Sequence, residues 1–301
     1  MELRLVGSEM CIRDRPTATD GSTITICEDA TATISGATAS NGDINWTDNG
    51  TGTLSGATTL APTYTAANGD AGNAVILTMT VTSNNACGAT KTAVATATVN
   101  VEALPTATGG GTTTICENGT ATLVAGDATA GNGTILWTEN GAGSITAGAT
   151  SLTPTYTAAS SDAGNTVTLT MTVTSDNTCG VSKTASATYT VNVDALPTAT
   201  AGGTQAICEG DSATVLAGEA TATDGTIMWS SAGAGSITSG ATSLTPTYTS
   251  AVGDAGTSVV LTMEVSSNNT CGAATDQATY TIHVRQSLSG ATSLSSTTAC
   301  K

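Results

Sequence analysis

Three observations predict an all-β chain of three tandem β-sandwiches. A unit of about 92 residues is written three times. Each unit contains runs that alternate apolar residues with Thr at period two. No segment between the Gly, Asn and Pro punctuation carries a helical period.

The repeat is marked by fixed signposts. Pro16, Pro105 and Pro197 each open a Pro-Thr-Ala-Thr segment, followed by Ile-Cys-Glu at Cys27, Cys116 and Cys208. A Trp comes next (Trp46, Trp137, Trp229), then Pro-Thr-Tyr-Thr at Tyr64, Tyr156 and Tyr248, then Asp-Ala-Gly at Asp70, Asp162 and Asp254. Each unit closes on an alternating run and Cys-Gly at Cys87, Cys179 and Cys271. The first unit is slightly shorter, and the deficit lies in the loops flanking its Trp, where packed domains tolerate length changes. The period is too long for a solenoid repeat and suits a small independent β-domain. The boundaries read 16–104, 105–196 and 197–286, with 287–301 as a tail.

The strands follow from the alternation. Val167, Leu169, Met171 and Val173 share one face, and Thr168, Thr170 and Thr172 the other, which is expected to be exposed. Ala187, Tyr189, Val191 and Val193 alternate again, as do Ala278, Tyr280, Ile282 and Val284. About seven short strands per unit, in two packed sheets, are expected. With no Phe in the chain, one Trp and one or two Tyr per unit are the only large core fillers.

Composition excludes several functions. Asp and Glu number 23 against 7 Lys and Arg, a net charge of −16, which repels DNA, RNA and anionic membranes. A hydrophobic fraction of 39% with regular alternation argues against disorder. No run of 18 apolar residues is present to span a membrane as a helix. A single His, His283, rules out Ser-His-Asp, Cys-His and His-based zinc sites; it reads as a surface residue on an outward strand position. The chain is therefore expected not to be an enzyme and to hold no cofactor.

Leu5–Arg15, LVGSEMCIRDR, resembles the translation of a transposase-type sequencing adapter over eleven consecutive residues. Residues 1–15, with Cys11, are set outside the fold as an unstructured artefact. The tail also departs from the repeat. Ser289–Leu294 copies the mid-unit segment Ser239–Leu244 where Pro-Thr-Ala-Thr is due, and reads as a chimeric or disordered join.

The ordered motifs Ile207-Cys-Glu-Gly-Asp-Ser-Ala-Thr214, Gly225-Thr-Ile-Met-Trp229, Leu244-Thr-Pro-Thr-Tyr-Thr249 and Val260-Leu-Thr-Met-Glu-Val265 resemble the PKD-like, immunoglobulin-like repeats of large secreted surface proteins of Bacteroidetes-type bacteria. The resemblance covers residues 16 to about 286. It implies three tandem immunoglobulin-like sandwiches end to end, reaching roughly 110 Å. It also implies a stalk or adhesive segment at the cell surface or in the secreted fraction, with a protein or glycan ligand or only neighbouring repeats as partners. The alternative is the accessory, carbohydrate-binding region of a secreted hydrolase whose catalytic domain lies elsewhere.

Candidate sites each carry two readings. Trp46, Trp137 and Trp229 read as core residues of a sandwich, with a sugar-stacking platform as the alternative. Asp70, Asp162 and Asp254 read as turn caps, with Ca²⁺ at a domain junction, helped by Glu102 or Asp194, as the alternative. Asp211-Ser212-Ala213 resembles a short bacterial O-glycosylation signal.

Six cysteines, Cys27, Cys87, Cys116, Cys179, Cys208 and Cys271, fall two per unit, and Cys300 stands in the tail. Paired cysteines at fixed places in an acidic, Thr-rich chain point to disulfides. Strand parity opposes pairing within a unit. The first Cys sits at the turn between the first two strands and the second at the last turn, so they lie at opposite ends of a sandwich, roughly 25–30 Å apart. A disulfide needs Cα atoms within about 4.4–6.8 Å. In an end-to-end array Cys27 then faces Cys179, and Cys116 faces Cys271, while Cys87 and Cys208 await neighbours beyond this chain. Bonds within each unit and unpaired thiols stand as alternatives.

Overall fold

The alternating runs become long strands, and the short Thr-Ala-Thr segments become short ones. The structure is a computed structural model that describes residues 14–85, 88 and 90–287. Most of the adapter-like segment, Cys87 and the tail from residue 288 onward lie outside the described residues.

The first unit runs β1 (Thr17–Thr19), β2 (Thr23–Cys27), β3 (Thr31–Thr33), β4 (Thr38–Ser40), β5 (Gly42–Asp48), β6 (Thr53–Ser55), β7 (Thr63–Thr65), β8 (Ala74–Ser83) and β9 (Thr92–Glu102). One sheet has the order β2-β9-β8-β5, the other β3-β7-β6, with β1 and β4 forming a further pair. Only the β2–β9 pairing is parallel. The same orders recur in β10–β18 (Thr106–Asp194) and β19–β27 (Thr198–Arg285). The three units are tandem immunoglobulin-like sandwiches.

Nine strands per unit replace the expected seven because two strands are each broken. β1 pairs with β4, whereas β2, after three residues, crosses to the other sheet and pairs with β9. β3 and β4 likewise divide one strand between two partners, β7 and β1. Single-turn 3₁₀ helices at Asn68–Asp70, Ser160–Asp162 and Val252–Asp254 interrupt the strands in each unit.

Each unit buries its own core. In the second, Val167, Leu169, Met171 and Val173 on β17 (Thr166–Ser175) pack with Trp137, Tyr156, Tyr189, Val191 and Val193. Burial of such side chains contributes about 1.5–3 kcal/mol apiece. Thr168, Thr170 and Thr172 are half-buried and not fully exposed. β17 is a central strand, and Thr170 is flanked by Thr188 on β18 (Thr184–Asp194) and Thr138 on β14 (Gly133–Glu139). Neighbouring side chains cover it from both sides.

Candidate functional site

Two recurring constellations stand out: a buried Tyr–Asp pair inside each unit, and the junctions between units.

The short strand carrying each Tyr points it inward, so Tyr64, Tyr156 and Tyr248 are fully buried. Six residues on, the 3₁₀ turn delivers a buried carboxylate. Tyr64 donates its hydroxyl to Asp70 Oδ2 at 2.7 Å, Tyr156 to Asp162 Oδ2 at 2.6 Å and Tyr248 to Asp254 Oδ2 at 2.7 Å. The same Oδ2 accepts the N–H at the start of its own turn, from Ala67, Ala159 or Ala251. The carboxylate then reaches the loop after the Trp strand. Asp70 Oδ1 accepts from the Thr51 N–H and hydroxyl, Asp162 Oδ1 from the Ala142 N–H, and Asp254 Oδ1 from the Ala234 N–H. The glycine N–H beyond, at Gly52, Gly143 or Gly235, donates to the Tyr oxygen.

These contacts decide the titration. Burial opposes ionisation of Asp70, but bonds from Thr51, Ala67 and Tyr64 outweigh it and hold the carboxyl at about 2. Asp162 and Asp254 are lowered against the same opposition from burial. Burial, then the bond to Asp70, pushes Tyr64 up to about 12, and Tyr248 likewise to about 12; Tyr156 is raised in the same sense. Both oxygens of each carboxylate face protein donors, which is the geometry of a turn cap. Among the described residues no group of three His, Cys, Asp or Glu side chains is placed to hold a metal ion.

The junctions are built from strand register. β2 runs parallel to β9 with Cys27 opposite Glu102. β11 (Thr112–Cys116) runs parallel to β18 with Cys116 opposite Asp194. The first two units therefore each present a Cys and an acid side by side at one end, whereas in the third Arg285 stands opposite Cys208. The last turn of the next unit supplies three consecutive residues to meet them, Asn177-Thr178-Cys179 and Asn269-Thr270-Cys271.

Cys27 is bonded to Cys179, with Cα atoms 4.7 Å apart, and Cys116 to Cys271, with Cα atoms 4.8 Å apart. Thr178 donates its N–H and hydroxyl to Glu102, and Thr270 donates the same pair to Asp194 Oδ2 at 3.0 and 2.6 Å. These bonds lower both acids. Asn177 Nδ2 donates to the Ala103 carbonyl and Asn269 Nδ2 to the Ala195 carbonyl, each at 2.9 Å. Asn85 Nδ2 donates in the same way to the Asp14 carbonyl at 2.7 Å, and Asn41 Nδ2 to the Arg15 carbonyl at 3.0 Å. Asp14 and Arg15, grouped by sequence with the adapter-like segment, thus occupy the linker position through carbonyls that any residue type supplies.

Trp46, Trp137 and Trp229 are buried, and each indole N–H donates to a loop carbonyl, of Thr59, Ser151 and Ser243, at 2.8–2.9 Å. They pack in the cores and offer no open stacking face. Cys208, expected to await a neighbour beyond this chain, is disulfide-bonded. Cys87 lies outside the described residues. His283 is exposed on β27 (Thr275–Arg285), with Nδ1 2.8 Å from Ser258 Oγ. Ser212 is exposed and paired with Thr249. Sequence reading missed the roles of Asn177, Thr178, Asn269 and Thr270; the only signal was the Asn-Thr-Cys-Gly string at two of the three turns.

No protein-family model matches this chain, and no curated protein matches it. Among solved structures, human CDH23 EC21-23 aligns over 89% of this chain and 99% of its own, with 13% identity and a TM-score of 0.49. Drosophila N-cadherin EC1-4 aligns over 91% of this chain and 76% of its own, with 12% identity and a TM-score of 0.42. Immunoglobulin domains 1-4 of Sidekick-1 align over 88% and 74%, with 10% identity and a TM-score of 0.32.

Proposed function

We propose that this chain is a non-enzymatic, force-bearing repeat segment of a bacterial protein that is secreted or held at the cell surface. Its modules are 16–104, 105–196 and 197–286, and its partners include its own neighbouring repeats. The observation that carries the reading is the interlacing of the two disulfides: Cys116 lies inside the loop closed by Cys27–Cys179, and Cys179 inside the loop closed by Cys116–Cys271. Disulfides persist in oxidising compartments outside the cytosol.

Interlacing has a mechanical consequence. Tension entering at Cys27 and leaving at Cys271 crosses one disulfide, follows the run 116–179, and crosses the other. Even with every sandwich unfolded, the distance between Cys27 and Cys271 is capped at about 220 Å. The reduced chain would extend to about 850 Å between the same points. The staples thus shield most of the array from load, and a stalk that must not lengthen needs that property.

Single-molecule extension of the full chain tests this. Under oxidising conditions the unfolding length between the two cysteines should be capped, and reductant should release an additional extension on the order of 600 Å. Equal contour length with and without reductant would contradict the load-bearing role.

A further inference from the structure

The order in which the cysteines appear along the chain conflicts with the order in which they are bonded. Cys116 is followed by Cys179, yet its partner is Cys271. Cys179 itself is bonded back to Cys27, across Cys87 and Cys116.

The fold sharpens the conflict. Cys116 is in register with Asp194 at the far end of β18, while Cys179 precedes the start of β18 at Thr184. The length of β18 therefore separates them by roughly 30 Å in the folded unit. A Cys116–Cys179 bond and a folded second sandwich exclude each other. However, β18 pairs with both β11 and β17 in the larger sheet, so the unit cannot close until residues after Cys179 have emerged. Synthesis at ~5–20 residues per second leaves Cys116 and Cys179 together in an unclosed unit for about 1–3 seconds, until the end of β18 at Asp194 emerges, and without Cys271 for on the order of ten seconds. The loop between them is also much shorter than the native one, which favours its closure. The first unit repeats the problem, since Cys87 precedes β9.

We infer that this chain is a substrate of a thiol–disulfide isomerase, which converts consecutive cysteine pairs into the crossed pairs Cys27–Cys179 and Cys116–Cys271. The inference rests on the extracellular reading above, because it requires an oxidising compartment. The exchange is balanced without any outside oxidant. A catalyst thiolate attacks the Cys116 sulfur of Cys116–Cys179; that S–S bond breaks, a mixed disulfide forms at Cys116, and Cys179 leaves as a thiolate. Cys271, emerging later as a thiol, loses its proton to solvent and attacks the Cys116 sulfur. Cys116–Cys271 forms and the catalyst thiolate is released. The Cys179 thiolate then attacks the Cys27 sulfur of Cys27–Cys87; that S–S bond breaks, Cys27–Cys179 forms, and Cys87 leaves as a thiolate that takes a proton from solvent.

The test is export of the full chain into the periplasm of a bacterial host with and without its disulfide isomerase, followed by non-reducing peptide mapping. Crossed bonds should dominate in the first host and fall at least tenfold in the second, with Cys116–Cys179 taking their place. Equal yields of the crossed bonds in both hosts would overturn the inference and leave the stapled array intact. Absence of crossed bonds from both hosts would instead overturn the array itself. A second measurement fixes the order of events. Reduced chain that is first folded and then oxidised with diamide should form both crossed bonds without a catalyst. Chain oxidised with diamide in denaturant should hold Cys116–Cys179 until reduced glutathione and protein disulfide isomerase are added. Crossed bonds formed directly from the denatured chain under diamide alone would overturn the inference.

Discussion

Tyr156 donates its hydroxyl to Asp162 Oδ2 at 2.6 Å inside the second sandwich. That single acceptor also takes three backbone N–H groups, from Ala142, Gly143 and Ala159. Removing it should therefore cost far more than removing the hydroxyl. Asp162→Ala is expected to destabilise the second unit by about 3–5 kcal/mol, because several buried donors lose their acceptor at once. Tyr156→Phe is expected to cost about 1–2 kcal/mol. Urea denaturation of the full chain, following Trp137 fluorescence with the other two Trp replaced by Phe, checks the order of the two effects.

The same pairs set the pH limits of the array. Asp70 is ionised in the fold down to about 2, against an ordinary value of 3.8. A depressed carboxylate contributes stability above its unfolded value, and that contribution disappears as pH falls through the folded one. Stability should hold down to about pH 4–5 and decline below it. At the other end, Tyr64 and Tyr248 are raised from 10.0 to about 12. Their contribution is complete below pH 10 and lost as pH rises towards 12. Thermal melts across pH 2–12 should show both limbs, and Asp70→Asn together with Asp162→Asn and Asp254→Asn should flatten the acid one.

Close approach, more than conformational freedom, fixes the glycines of the loop after the Trp strand. A Cβ on Gly141 would stand 2.5 Å from the Tyr156 hydroxyl, and one on Gly143 would stand 2.2 Å from the Thr157 carbonyl oxygen. Gly143→Ala is expected to cost about 1–3 kcal/mol, since backbone must move. Gly110→Ala, where nothing lies within 4 Å, should change stability by less than about 0.5 kcal/mol. Circular dichroism melts of the two variants make the comparison.

An acid–threonine clasp lies beside the disulfide at each junction. Thr270→Val keeps the volume but removes the hydroxyl donor to Asp194. With Cys116 and Cys271 replaced by Ser, this change should increase the angular spread between the second and third units, read as a shorter mean end-to-end distance by small-angle scattering. An unchanged scattering profile would assign the junction geometry to the linker alone.

Much of this architecture follows from residue spacing. The run Val167–Thr174 could only be a half-buried strand, because period two leaves no other surface for four apolar side chains. In a chain without Phe, the tryptophans had to fill cores. Strand parity alone places Cys116 and Cys179 at opposite ends of one sandwich. Other features have no local signature. The splitting of β1 from β2 depends on which sheet a small, neutral Thr-Ala-Thr segment meets, and either accepts it. Tyr156 and Asp162 are six residues apart, a spacing that belongs to no regular element, so their bond arises only from the turn between them. Asn177 and Thr178 act on a different unit, and only the recurring Asn-Thr-Cys-Gly string marks them.

Neighbouring units are covalently stapled out of sequence order. Non-reducing peptide mapping of the mature, exported protein tests it most directly. One linked peptide pair should contain Cys27 and Cys179 and another Cys116 and Cys271, both dispersed by reductant. A pair linking Cys116 to Cys179 would contradict it, because the two residues would then have to meet across the length of β18.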